Sequence, residues 1–299
     1  MAEELRIAAR PALREPVLIS AFRGWNDGGQ GASLAGGYLA KTWEAERFAE
    51  IESEGFFDFQ ATRPHVSLVE GRTRRIDWPE NAFYHAPVPG LDRDAVLLLG
   101  VEPNLRWRTF STLIVDLARE LGVEMMITLG SLLADVPHTR PSPVTGGATD
   151  PELIERLGLQ RSRYEGPTGI VGVLHDACNI AHIPSVSLWA AVPHYVSLAP
   201  SPRAALALCQ RLGDILGAPV ETGELDEASE RYSEQVSEAV ASDDETAAYV
   251  AELEERAEIL DDEQEIPSGE SLAAELTRFL RDRERGNGGP EASGPSEQP

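Results

Sequence analysis

A chain of 299 residues, 42% of them hydrophobic, has enough apolar mass to bury the core of one large domain or two small ones. Its formal charge of −24 is uneven, with 24 Asp+Glu against 6 Lys+Arg from Glu221 onward and 26 against 20 before it, and such a tail repels a phosphate backbone, so DNA and RNA are excluded as partners. No stretch approaches the roughly 18 to 20 apolar residues of a membrane span, and the opening MAEELRIAARPALREPVLIS lacks the basic-then-apolar order of a signal peptide, so a cytoplasmic protein is expected.

Pro16–Phe22 (PVLISAF) reads as a short buried strand that stops at Arg23-Gly24. The next residues, GWNDGGQGASLAGGYLAKTW, change to helical spacing, with Asn26 or Asp27 placed to cap the helix and five glycines between Gly28 and Gly37 implying close packing. From Phe48 to Phe83, short β-prone pieces alternate with Gly, Pro and charge, the pattern of a meander or hairpins. Ala95–Val101 (AVLLLGV) is an unbroken apolar run, as in strands covered on both faces, and Glu102-Pro103 ends it. Phe110, Leu113, Ile114 and Leu117 predict a helix over 109–121, which leads to a second buried strand, Met125–Leu129, stopped by Gly130.

The segment SLLADVPHTRPSPVTGGAT then reads as a loop, followed by a short capped helix from Asp150-Pro151 to Leu157. A glycine-rich turn enters a helix over Ile170–Asn179, Ser185–Ala190 is a strand, and Ser201-Pro202 starts a helix to Leu216 with proline at the tolerated first turn. This alternation predicts a largely parallel sheet covered on both faces. Three Glu- and Ala-rich helices follow, at 224–241, 244–260 and 268–285, whose narrow apolar stripes need the core or another subunit to pack on. Residues 286–299 contain no large apolar side chain and are expected to be disordered. The predicted organisation is an α/β core domain at 1–220, an acidic helical extension at 221–285 and a tail at 286–299.

Cys178 and Cys209 lie in apolar segments without metal spacing and are expected to be small buried hydrophobes. Lys41 is the single lysine, which leaves few mechanisms that depend on a positioned lysine. Gly24-Trp25-Asn26-Asp27-Gly28-Gly29 falls where a parallel sheet presents its carboxyl edge, and N–H groups at a helix start there can hold an anion. Neither GxGxxG nor GxxxxGK[ST] is present, and a tight turn accounts for the same glycines. Arg23, Glu102, Arg106 and Arg108, just past strand ends, would join such a site.

Asp135, His138 and Arg140 combine an acid, an imidazole and a guanidinium within one loop, a trio that can orient a ligand, relay a proton or simply stabilise the loop. Pro193-His194-Tyr195 follows a third strand, so three loops would converge on one cleft with Asn26, Glu102 and His138 at a common rim and His194 as a candidate base. Ser20, Ser131 and Ser197 lack a GxSxG context, and His65, His85, His175 and His182 lack ligand spacing, so no catalytic residue, metal or cofactor is expected.

FRGWNDGGQGAS at 22–33, GVEPNLRWRTF at 100–110, LGSLLADVPHTRPSPVTG at 129–146, EGPTGIVGVLHDAC at 165–178 and SVSLWAAVPHYVSLAPSP at 185–202 together resemble the proteasome assembly chaperone 2 family, in particular its actinobacterial-type branch. The resemblance implies a three-layer α/β/α fold with a mostly parallel mixed sheet, similar to the purine nucleoside phosphorylase-like fold, plus C-terminal helices. It also implies homo-oligomers, often trimers, and a non-enzymatic assembly-chaperone-like role linked to the proteasome. Proteasome-docking chaperones of this type carry a C-terminal hydrophobic-Tyr-any-residue tail, whereas this sequence ends Ser296-Glu297-Gln298-Pro299, so docking by that route is not expected. The ATP-grasp ligase label given to some bacterial relatives finds no lysine pair or Glu/Asn metal motif here. The alternative function is an enzyme or sensor for a small anionic or nucleoside-like ligand.

Overall fold

The computed structural model describes residues 4–69, 72–161 and 164–263, so the expected helix at 268–285 and the tail at 286–299 lie outside the described residues. In chain order the elements are β1 (Leu5–Ile7), β2 (Val17–Arg23), α1 (Gly31–Thr42), β3 (Glu46–Ile51), β4 (His65–Val69), β5 (Thr73–Asp77), β6 (Asn81–Pro87), β7 (Asp94–Val101) and α2 (Trp107–Glu120). They continue with β8 (Met125–Ala134), β9 (Val144–Ala148), α3 (Pro151–Leu157), α4 (Ile170–Ile180), β10 (Ser185–Pro193), α5 (Pro202–Leu216), α6 (Gly223–Ala241) and α7 (Asp244–Glu263).

Eight strands form one mixed sheet in the order β1-β3-β6-β7-β2-β8-β10-β9. The four central strands, β7, β2, β8 and β10, run parallel, while β6, β3 and β1 on one side and β9 on the other each pair antiparallel with their inner neighbour. The apolar runs sit in the parallel centre because alternate residues of one strand enter opposite covered faces. Val17, Ile19 and Ala21 of β2 face Leu39 of α1 and Leu208 of α5, whereas Leu18 and Phe22 face Phe110 and Ile114 of α2 and Leu174 of α4. The result is the three-layer α/β/α arrangement.

The strand at Met125 runs past Gly130 to Ala134, paired with β10 from Ser185↔Met126 to Ala134↔Pro193. Gly130 allows this rather than stopping it, since a Cβ there would lie 2.6 Å from the Trp189 ring of its cross-strand partner. Part of the segment read as a loop is β9, an antiparallel edge strand whose Gly146 leaves room for Leu159. Two glycines in five residues mask its strand character. The 48–83 region resolves into β3, β6 and a separate two-stranded hairpin, β4–β5.

Ser201 caps α5 by accepting from the Ala204 N–H at 3.4 Å, and Gly217, at φ 81°, ends it. Beyond it, Leu225, Tyr232 and Val236 of α6 and Val250 and Leu253 of α7 are buried. Each buried aliphatic side chain is worth about 1.5–3 kcal/mol relative to exposure, so the acidic helices acquire from packing the stability their own stripes lack.

Candidate functional site

The carboxyl ends of β2, β7 and β8 meet the N-termini of α1 and α4, and one carboxylate ties them together. Glu102, at the end of β7, accepts from Asn26 Nδ2 at 3.0 Å and from the Ile170 N–H at 2.8 Å through Oε1, and from the Trp25 N–H at 3.1 Å through Oε2. Ile170 is the first residue of α4, so Glu102 meets the positive end of that helix with a negative charge from the same chain. Two glycines permit the approach. Gly24 has φ 141°, and a Cβ on it would lie 2.8 Å from Glu102 Cβ; a Cβ on Gly169 would lie 2.3 Å from Asn26 Nδ2.

Asp27 turns the other way. Its Oδ1 accepts from the Ala32 N–H at 2.9 Å and the Ser33 N–H at 3.1 Å, which caps the first turn of α1, and from Ser131 Oγ of β8 at 3.3 Å. Burial holds its carboxyl above the ordinary carboxylate range, against the opposing pull of its bonds to Ser33, Ala32 and Ser131. Gly28 lets the turn lie on β8, where a Cβ would meet the Leu132 backbone at 3.0 Å.

A second network occupies the loops after β8 and β10. His194 Nδ1 lies 2.9 Å from Asp135 Oδ1, which also accepts from the Tyr249 hydroxyl of α7 at 2.9 Å. The Tyr195 hydroxyl accepts from the His138 N–H at 2.7 Å and lies 2.8 Å from His138 Nδ1. Burial pushes that phenol up to about 12. The other ring nitrogen, Nε2, lies 3.1 Å from Ser237 Oγ of α6. Burial, and next the charge of Arg203, lower the His138 pKa and favour the neutral imidazole. The rings of His194, Tyr195 and Tyr249 pack edge to face with centroids 5.5–6.0 Å apart.

The remaining candidates are dispersed. Arg140 lies 3.6 Å from Glu258 of α7, and its carbonyl accepts from Arg203, which also donates to Ser233 of α6 at 2.6 Å. Arg106 pairs with Glu4 at 2.6 Å and stacks over Phe56 at 5.2 Å. Arg23 is exposed and, with Gln30, Ser33, Glu80 and Tyr84, lines an open cleft of about 320 Å³. Asn26 and Glu102 thus touch, whereas His138 belongs to the network that holds α6 and α7. Sequence reasoning did not single out Arg203, Ser237 or Tyr249. Tyr249 falls in the apolar stripe of the helix expected at 244–260, where nothing marks its hydroxyl.

Among the described residues no three or more His, Cys, Asp or Glu side chains group as metal ligands, and no helix is long and apolar enough to cross a membrane. A helix-covered mixed sheet with acidic C-terminal helices held to its polar loops defines a three-layer α/β/α protein. The chain belongs to the PAC2 family, whose model matches residues 21–240. It is similar to a PAC2 family protein of Streptomyces avermitilis, with 47% identity over 79% of this chain and 99% of that one, at a TM-score of 0.73. It is similar as well to the proteasome-assembly chaperone homologue of Mycobacterium tuberculosis, with 46% identity, 78% and 99% coverage and a TM-score of 0.72. The archaeal proteasome activator PbaB of Pyrococcus furiosus shares the fold at 21% identity, covering 79% of this chain and 97% of its own, with a TM-score of 0.65. None of the curated proteins compared with this chain matches it.

Proposed function

We propose that this chain is a non-enzymatic, cytoplasmic assembly-chaperone-like protein that works as a homo-oligomer and engages a proteasome-related partner. The observation that carries the reading is that both polar networks at the carboxyl edge close on the chain itself. Glu102 is held by Asn26, Trp25 and Ile170, while Asp135 and His138 are held by α7 and α6. Groups arranged this way build a rigid platform and fix the acidic extension to it. The close relative described as a proteasome-assembly chaperone homologue supports the choice of partner. The organisation suits it, with a core at 1–220 presenting an extension that begins at 221. Mixing the purified chain with proteasome α-subunits from its own cytosol should give co-elution and a changed rate of ring assembly. Separate elution with an unaltered rate would overturn the reading.

A second reading rests on the cleft of about 320 Å³ beside Arg23, which has the size for a small anionic or nucleoside-like ligand. Thermal-shift screening of nucleosides, nucleotides and phosphate against wild type and Arg23→Ala tests it. Stabilisation of wild type alone supports a ligand, and no shift with any probe removes it.

A further inference from the structure

The β4–β5 hairpin stands apart from the main sheet, with Val66 opposite Ile76 and Leu68 opposite Arg74. Its two faces differ. On one, Ser67 Oγ donates to Asp77 at 2.8 Å and Arg75 pairs with Asp77 at 2.6 Å, with Val69 the single large apolar side chain beside them. The other carries Val66, Leu68 and Ile76, which are 63%, 61% and 52% exposed, beside Arg74. A lone two-stranded hairpin is marginal in water, and three large apolar side chains on one open face need a cover.

Charge indicates what the cover is. Residues 63–75 hold four arginines and one acidic residue in a chain of net charge −24. The same chain bears the opposite surface: α7 has nine acidic residues and one arginine, Arg256, which pairs with Glu252. On that helix Glu252, Glu255 and Ile259 share a stripe at i, i+3 and i+7, all exposed, with Ile259 at 53%. An exposed isoleucine among carboxylates complements an apolar hairpin face edged by arginine. The hairpin leaves the sheet at β3 and β6, whereas Tyr249 of α7 donates to Asp135 after β8 and packs its ring on His194 after β10, with β7 and β2 between them.

We propose that the β4–β5 hairpin docks through Val66, Leu68 and Ile76 on the acidic Glu255–Ile259 stripe of α7 in a second copy of this chain. The proposal rests on the self-association put forward above and names its surfaces. A contact between two different patches is heterologous, and each subunit then offers a hairpin to one neighbour and a helix to the next, which builds a ring where the rotation between subunits closes and an open chain of subunits where it does not.

Sedimentation of wild type, Leu68→Glu and Ile259→Glu tests it. Both changes lie on exposed positions and leave the fold intact, and each should weaken self-association at least tenfold, with Arg74→Glu and Glu255→Arg weakening it singly and restoring it together. Because both native cysteines are buried, mixing Leu68→Cys with Ile259→Cys chains should give one mixed disulfide dimer under mild oxidation. Wild type that stays monomeric at high micromolar concentration would overturn the self-association reading and this proposal together. An oligomer unaffected by these substitutions, or Leu68→Cys chains linking only to each other, would overturn the hairpin–helix contact alone.

Discussion

Asn26 and Glu102, 76 positions apart in the chain, meet at 3.0 Å where the ends of β2 and β7 face the start of α4. The contact makes Glu102 the junction of three segments, since the same carboxylate holds the Trp25 and Ile170 N–H groups. Hydrogen bonds to a charged group contribute about 1.5–3 kcal/mol each, and a helix start left without its counter-charge loses further stability. Glu102→Ala should therefore destabilise the fold by about 3 kcal/mol in urea denaturation, and Glu102→Gln by less. Added formate should partly restore Glu102→Ala and leave wild type unchanged. An unaltered midpoint in Glu102→Ala would show that the carboxylate is dispensable.

His175 predicts a pH dependence. Its Nδ1 lies 2.8 Å from Ser185 Oγ and its Nε2 3.2 Å from Thr128 Oγ1, and burial pushes its pKa down to about 4. The unfolded chain titrates near 6.5, so between about pH 6.5 and 4 it binds more protons than the folded one. Stability is then fully present above about pH 6.5 and falls by up to about 1.4 kcal/mol per pH unit as the pH drops through that window. His138, also depressed, acts in the same direction. His175→Asn should flatten the slope of unfolding free energy against pH, and an identical slope would sink the assignment.

The seat of the extension is testable at Tyr249. Its hydroxyl donates to Asp135 on the loop after β8, and a lost hydrogen bond of this kind costs about 1–2 kcal/mol. Tyr249→Phe should speed amide exchange in α7 several-fold while the strands β2 and β8 keep their protection. Uniform loosening of the whole chain would contradict a local clamp.

Adjacent glycines of α1 should respond in opposite directions. A Cβ on Gly36 would lie 2.6 Å from Leu99 Cδ2 and 3.0 Å from Ala21 Cβ, whereas Gly37 has nothing within 4 Å. Gly36→Ala should cost about 1–3 kcal/mol through overpacking, and Gly37→Ala should stabilise by up to about 1 kcal/mol because alanine is the better helix former. Thermal midpoints that move the same way would refute the packing argument.

Cys178 and Cys209 are fully buried, and burial pushes both thiols up to about 12. Ellman's reagent should label neither in the native protein and both after denaturation. Rapid native labelling at either position would mean that its layer of helices opens readily.

The central strands could be read from the sequence because their apolar runs carry the signal locally, as in Val17–Phe22 and Ala95–Leu98. Strand ends and edges could not. Gly130 reads as a stop until Trp189 is known to lie across it, and β9 reads as a loop until β10 supplies its hydrogen bonds. The candidate site divides along the same line. That Asn26, Asp27 and Glu102 lie at a carboxyl edge follows from the strand–turn–helix order of the chain.

What the chain order leaves open is which group satisfies which. The Asp27 carboxylate went to the start of α1, Glu102 to the start of α4, and Asp135 and His138 to helices more than 90 positions away. By itself the sequence determined the covered sheet, the acidic extension and the family, since apolar runs, charge counts and loop phrases are local properties. Only the tertiary structure decided the partners of its buried polar groups, because a hydrogen bond depends on distances of about 3 Å between segments whose separation along the chain carries no information about them.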